Sequence, residues 1–128
     1  MMGTALPALA EQGRAPRPRP VHGRKVFAEL RSSKRRVRSG PVRVQFLPAQ
    51  EADKERHVAF AVPRKVGTAV ERNRCRRQLR AVVVEATVSI PAGTYLVGID
   101  QGVRKLQFQD LRARVIEAMQ RASQVGTR

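Results

Sequence analysis

Residues 58–85 read VAFAVPRKVGTAVERNRCRRQLRAVVVE, and their hydrophobic pattern changes period part-way along. Apolar residues alternate with alanine over 58–62, which is typical of a strand with one buried face. Thr68 and Glu71 then form the T-x-x-E pattern of a helix capping box. The stretch therefore predicts a strand that leads into a helix over 68–86.

The predicted helix separates its apolar residues from its basic ones. On a helical projection of about 100° per residue, the apolar side collects Cys75, Leu79, Val82, Val83 and Ala86. Nearly opposite lie Asn73, Arg76, Arg77 and Arg80, with Arg72 and Arg74 beside the first turn. Glu71 is the one acid among residues 65–81, so a phosphate-binding face is favoured over a merely solvated one. Gly67 and the free amides of the first turn are expected to attract anions as well.

The whole chain is strongly basic. It has 128 residues, enough for one domain, and a net charge of +16. Counted along the sequence, 21 of the 26 basic residues are Arg, whose planar fork pairs with phosphate and stacks on bases. This composition favours nucleic acid over an acidic membrane surface, and no apolar run approaches membrane-spanning length. The single cysteine, Cys75, suits a reducing, cytoplasmic location.

The remaining patterns predict an α+β domain over 23–122, in which helices pack on one mostly antiparallel sheet. Residues 1–22 form a predicted flexible tail rich in Pro and Arg, and 123–128 a C-terminal tail. The predicted helices cover 24–31, 68–86 and 108–122, and the strands 36–38, 42–46, 57–62 and 94–99. Loops or turns are expected at 49–56, 91–93 and 100–105. The apolar stripe of the last helix comprises Phe108, Leu111, Val115, Ala118, Met119 and Ala122. A strand over the β-branched Val82–Val84 is the alternative to helix there.

Four single residues are candidates for metal binding, redox chemistry or base stacking. Cys75 has no second cysteine and is expected to be a small core residue. His22 and His57 lack metal-ligand spacing, and we expect no metal site. Phe27 could equally pack in the core or stack on a base. The sequence shows no catalytic constellation, so the residues alone indicate an RNA- or DNA-binding module.

The spaced pattern of this stretch resembles the signature region of the bacterial ribonuclease P protein component. The matching residues are Lys65-Val66-Gly67, Ala69-Val70, Arg72-Asn73-Arg74, Arg76-Arg77 and Leu79-Arg80. The segments GRKVFAEL, PAGTYLVGI and LQFQDLRARVIEAM look like the first helix, a strand and the closing helix of that family. The resemblance covers about residues 23–122. Many members carry a second aromatic where this chain has Leu30 and Arg31.

The resemblance implies a fold and a function. The fold would be a two-layer α/β sandwich, like the second domain of ribosomal protein S5, with a left-handed strand–helix–strand crossover against the usual rule. The holoenzyme would remove the 5′ leader from precursor tRNA. Its RNA subunit would carry the chemistry with Mg²⁺ bound mainly at RNA. The protein would bind the ribonuclease P RNA and the single-stranded leader.

The resemblance also implies site residues. The RNA-binding set would be Arg64, Lys65, Arg72, Asn73, Arg74, Arg76, Arg77 and Arg80, and the leader cleft would be lined by Phe27, Arg43, Ala59 and Ala61. A ribosomal or other structured-RNA-binding protein without a processing role is the alternative. The strands around the basic helix disfavour a helix-turn-helix regulator of DNA. Scattered acids disfavour a protein-only, metal-dependent nuclease.

Overall fold

The structure, a computed structural model, describes residues 18–21, 23–49 and 54–124. Its helices are α1 (Arg24–Ser32), α2 (Ala69–Ala86) and α3 (Phe108–Gln124). Its strands are β1 (Arg36–Ser39), β2 (Val42–Pro48), β3 (Arg56–Ala61) and β4 (Gly93–Ile99). Short 3-10 segments lie at Arg64–Val66, Thr87–Ser89 and Gln101–Lys105.

The four strands form one sheet in the order β1-β2-β4-β3. The pairs β1–β2 and β2–β4 are antiparallel, while β3 and β4 are parallel neighbours. Parallel neighbours need a crossover connection, and α2 lies in the chain between these two strands. The predicted α+β class with a mostly antiparallel sheet is therefore confirmed.

One face of the sheet shares a hydrophobic core with α2 and α3. The burial along β2 alternates, and Val42, Val44 and Phe46 point into this core. Phe46 lies opposite Tyr95 of β4, with 4.9 Å between the ring centroids. The Tyr95 hydroxyl donates to the Pro91 carbonyl oxygen at 2.7 Å, which satisfies its polar end inside the core. Burial raises the pKa of this phenol.

Helix α1 packs on the opposite face of the sheet. Gln45 alternates with the core residues of β2, and its amide nitrogen donates to the carbonyl oxygens of Leu30 and Arg31 at 2.8 and 3.0 Å. Leu30 is fully buried beneath the helix. These contacts fix the C-terminal end of α1 over β2.

Part of the predicted N-terminal tail, residues 18–21, lies along the edge of β3. The Arg19 amide donates to the Arg56 carbonyl oxygen, and the Val58 amide donates to the Arg19 carbonyl oxygen, both at 2.7 Å. Arg19 also pairs with Glu55 at 3.3 Å. Residues 1–17 and His22 lie outside the described residues. The exposed edge of a sheet is the place where such an extended segment can bond.

Several predicted boundaries differ from the observed ones. β3 begins at Arg56 and ends at Ala61, β4 begins one residue early at Gly93, and the 100–105 loop contains a 3-10 segment. α3 continues through Gln124, two residues into the predicted C-terminal tail. The alternative strand over 82–84 is wrong, because Val82 and Val83 reach the core from a continuous helix.

The predicted burial of Phe108 is also wrong, because its side chain is 43% exposed. Phe108 is the first residue of α3, and the buried part of the apolar stripe begins one turn later, at Leu111.

Candidate nucleic-acid interface

One side of α2 forms a basic surface, here called the arginine face, in which Arg77 and Arg80 are exposed and Arg72 and Arg76 are half-buried. It comprises Arg72, Asn73, Arg76, Arg77 and Arg80. The Arg72 guanidinium donates to the Gly67 carbonyl oxygen at 3.3 Å, and Arg76 donates to the Asn73 side-chain oxygen at 3.1 Å. Leu79, Val82 and Val83 on the other side of the helix are buried. The core contacts therefore hold the helix in one rotation, with Arg77 and Arg80 outward and with Arg72 and Arg76 at the margin of the buried side.

Arg64 and Lys65 extend the arginine face at the N-terminal end of α2. Both side chains are exposed on the 3-10 segment, whose third residue, Val66, is 1% exposed. The buried Val66 anchors the segment, so the two cations project beside the first turn of the helix. The sequence-predicted RNA-binding residues are thereby brought together, except for Arg74.

The two acids of α2 lie on the flank of the helix that faces α3. Glu71 pairs with Arg104 at 3.4 Å, and Glu85 pairs with Arg112. The pKa of Glu71 is lowered first by the Thr68 backbone amide and then by Arg104, and the pKa of Glu85 is lowered by Arg112. Within the described ranges, no ion pair includes an arginine of α2. The arginine face therefore carries unneutralised positive charge.

The N-terminus of α2 is capped by the chain itself. The Glu71 amide donates to the Thr68 hydroxyl at 3.2 Å, and the Thr68 amide donates to the Glu71 carboxylate at 2.8 Å. A Cβ on Gly67 would collide with this carboxylate. The glycine therefore makes room for an internal acid, and the attraction of an external anion to the first-turn amides stays a prediction.

The outer face of the sheet carries small residues beside α1. Arg43, Gly98 and Ala61 are register partners across β2, β4 and β3, and Ala59 lies further along β3 on the same face. A Cβ built on Gly98 would find the Ala61 Cβ at 3.7 Å, so glycine keeps this floor low. Gly98 was not among the cleft residues predicted from the sequence, although a glycine inside a strand often marks close approach by another chain.

Phe27 lies over a groove at the β3 edge. The groove measures about 510 Å³ and is also lined by Ala59, Arg80 and the 18–21 segment. Phe27 is partly exposed and lies outside the main core, so its ring borders this groove. Arg43 and Ala61 lie on the same sheet face but outside the lining of the groove. Arg80 belongs both to the arginine face and to the groove, so the two surfaces are continuous.

The other candidate side chains lie apart from these surfaces. Cys75 is half-buried against the core, as predicted, and burial raises the pKa of its thiol. Arg74 lies on the flank of α2 that faces α3, in a separate cavity. Among the described residues, no cluster of three His, Cys, Asp or Glu could hold a metal ion. None of the described helices is long and apolar enough to cross a membrane.

A four-stranded α+β domain whose helix α2 carries arginines outside any ion pair of the described residues indicates a nucleic-acid-binding protein. The family model described as Ribonuclease P matches residues 15–123. The ribonuclease P protein component of Mycoplasma pneumoniae is 37% identical over 90 residues, which make up 70% of this chain and 75% of that protein. The component of Symbiobacterium thermophilum is 39% identical over 74 residues, 57% of this chain and 64% of that protein. The chain belongs to the ribonuclease P protein family.

Solved structures with a similar fold are also ribonuclease P proteins. The ribonuclease P protein from Thermotoga maritima superposes with a TM-score of 0.69 at 21% identity, over 82% of this chain and 97% of that one. Family membership confirms the predicted function class, the protein component of ribonuclease P, a tRNA-processing ribonucleoprotein enzyme. Nothing in these similarities favours the alternative of a ribosomal or other RNA-binding protein.

Proposed function

We propose that the arginine face binds the ribonuclease P RNA while the groove beside Phe27 binds the single-stranded 5′ leader of precursor tRNA. The RNA subunit would cleave off the leader, and the protein would position the precursor tRNA relative to the RNA subunit. The observation that carries this proposal is the charge sorting on α2, where the acids are paired on one flank and the arginines are unpaired on the other. Phosphates laid across the second flank would supply the missing counter-charges.

The leader assignment rests on the chemistry of single strands. Such RNA binds where aromatic side chains offer a stacking surface next to basic groups. Phe27 supplies the aromatic ring, Arg80 supplies a cation in the same groove, and Arg43 adds another on the open sheet face. The low floor at Ala59, Ala61 and Gly98 leaves room for a strand to pass along the sheet.

Arg80 is the residue at which the two RNAs would meet. Its place in the groove lining, four residues after Arg76 on the arginine face, puts it at the border between the two surfaces. A leader that enters the groove would therefore leave it close to the bound catalytic RNA. This arrangement fits a subunit that aligns a substrate with a ribozyme.

The Mg²⁺ of the reaction is proposed to be held by RNA and substrate. The arginine face presents cations rather than the oxygen ligands that Mg²⁺ prefers, and the described residues contain no carboxylate cluster. The residues of the arginine face thus do not fit a metal site, and their proposed role is to bind and orient RNA. We place the particle in the cytoplasm, where the free thiol of Cys75 stays reduced.

The proposal is tested by cleavage of a precursor tRNA at low Mg²⁺ with the cognate RNA subunit. The chain is expected to stimulate cleavage at the mature 5′ end. The double substitution Arg72→Ala/Arg76→Ala should reduce stimulation at limiting protein about tenfold or more, since a charge-assisted hydrogen bond is worth roughly 1.5–3 kcal/mol. The matched control is Arg112→Ala/Arg121→Ala on α3, which removes the same charge elsewhere. Tight RNA binding without stimulation would move the assignment to a purely structural RNA-binding role.

A further inference from the structure

A second cavity lies on the other flank of α2, where this helix faces the start of α3. It measures about 500 Å³ and does not include Phe27 or Arg80. Its polar and aromatic lining is formed by Phe108, Arg74, Arg104, Glu71, Gln78 and Gln107. We call it the α2–α3 pocket.

Phe108 is the unusual member of this pocket. It is 43% exposed, while Leu111 and Val115 on the same stripe of α3 are buried. The ring therefore contributes little to the core and presents apolar surface to the cavity. An exposed aromatic next to arginines is the combination on which a nucleic-acid base stacks.

Two cations border the pocket. Arg104 pairs with Glu71 at 3.4 Å, yet its side chain remains 59% exposed. Glu71 is itself fixed by the capping box of α2, so Arg104 is held in place beside the cavity. Arg74 is exposed and takes part in no ion pair of the described residues. Two positive charges against one acid favour a phosphate group there.

Two amides complete the lining. Gln78 and Gln107 can each donate and accept hydrogen bonds, as the edge of a base requires. Leu106 and the half-buried Cys75 form an apolar wall. The pocket thus combines a flat ring, phosphate-binding charge and hydrogen-bonding groups within one cavity.

We propose that the α2–α3 pocket binds one unpaired nucleotide of the RNA that lies on α2. The base stacks on Phe108, and its phosphate lies near Arg74 and Arg104. This inference rests on the proposed function, because Arg74 shares its helix with the arginine face and brings the pocket within reach of the same RNA. Proteins recognise unpaired RNA bases by such stacking and edge contacts.

Tryptophan fluorescence provides a direct test, because the chain contains no Trp. A Phe108→Trp variant places a single indole in the pocket. Its emission is expected to be quenched when the cognate ribonuclease P RNA is added, since a base stacks on the ring. A Val88→Trp variant is the matched control. Val88 is 61% exposed and lies outside the pocket, so its emission should change little.

Substitutions test the energetic contribution of the ring. Phe108→Ala should raise the Kd for the RNA about fivefold or more at fixed salt, in line with measured base–aromatic stacking. Phe108→Tyr should restore binding, whereas Phe108→Leu, which is apolar but not flat, should not. Chemical probing should show one RNA base that the wild-type chain protects and Phe108→Ala exposes.

The outcomes separate the two proposals. If the RNA binds tightly and Arg76→Ala weakens it, while Phe108→Ala has no effect and Phe108→Trp is not quenched, the pocket is not a nucleotide site and the proposed function stands. If Phe108→Ala weakens RNA binding but Phe108→Leu binds as tightly as the wild type, the stacking proposal is also overturned, since any apolar side chain would then suffice. Failure of the wild-type chain to bind the RNA would overturn both proposals.

Discussion

Single residues determine the shape of the outer sheet face, beside which we propose that the leader binds. Gly98 keeps the floor low between Arg43 and Ala61, and any larger side chain would rise into the space beside α1. Phe27 borders the neighbouring groove at the β3 edge, and the contacts of Leu30 and Gln45 fix the C-terminal end of its helix. The groove therefore has one aromatic ring from α1 and the small Ala59 from β3 in its lining, and the low floor at Gly98 lies beside it on the same sheet face.

Phe27→Ala is expected to weaken binding of leader-containing precursor tRNA more than binding of mature tRNA. The loss should be roughly 1–3 kcal/mol, the range for one base stacked on an aromatic ring. Competition binding to the holoenzyme, with the two tRNAs side by side, measures the difference.

Val26→Ala is the control for packing of α1, because Val26 is also partly buried but lines a different cavity. Thermal unfolding checks that both variants fold. An equal loss for both tRNAs in a folded Phe27→Ala variant would assign the ring to packing alone.

At the scale of elements, α2 depends on its cap for a defined start. Thr68 satisfies the Glu71 amide, and Thr68→Ala would leave that donor to water. Loss of an N-cap hydroxyl costs about 1 kcal/mol, so the free energy of unfolding in urea should fall by about that amount. Thr68→Ser keeps the hydroxyl and should restore most of it. No change in the alanine variant would show that packing alone fixes the helix start.

The acid of the same cap predicts a pH dependence. The pKa of Glu71 is lowered in the folded chain, chiefly by the Thr68 backbone amide. Ionised Glu71 therefore stabilises the fold above its unfolded pKa, and this contribution is lost as pH falls through the folded value. Glu71→Gln should be less stable than wild type near neutral pH, and the gap should narrow in acid. A gap independent of pH would exclude the charge as its cause.

The elements also show how much of the structure the sequence could predict. The capping box is local, so the start of α2 followed directly from Thr68 and Glu71. The buried face of each strand could be predicted from the alternation of apolar residues along it. The pairing of Arg19 with the β3 edge is non-local, and no sequence pattern marks it. Exposure of Phe108 depends on what covers the end of α3, which helical periodicity cannot show.

The same distinction applies to the candidate site. The clustering of the arginines was predictable because a single helix carries them. The separation of Arg74 into another cavity depends on where α3 packs, and the continuity of Arg80 with the groove depends on the β3 edge. The residues of the cleft come from three different elements, so no local pattern joins Phe27 to Ala59.

For the whole molecule, the important quantity is where the charge of +16 lies. Several acids are already paired with arginines outside the arginine face, such as Glu85 with Arg112 and Asp100 with Arg38. The arginines of the arginine face take part in none of the ion pairs of the described residues. Because phosphate binding releases counterions, RNA affinity should fall steeply with salt.

Position and net charge can be separated by two substitutions that change the charge equally. Arg76→Ala removes a cation from the arginine face, and Arg112→Ala removes one already paired with Glu85. We expect Arg76→Ala to reduce the slope of log K against log salt by about one unit, the loss of one phosphate contact. Arg112→Ala should leave the slope near its wild-type value. Filter binding of the ribonuclease P RNA over a salt series measures both. If the two variants reduce the slope equally, overall charge rather than the arginine face determines binding, because only a localised contact distinguishes them.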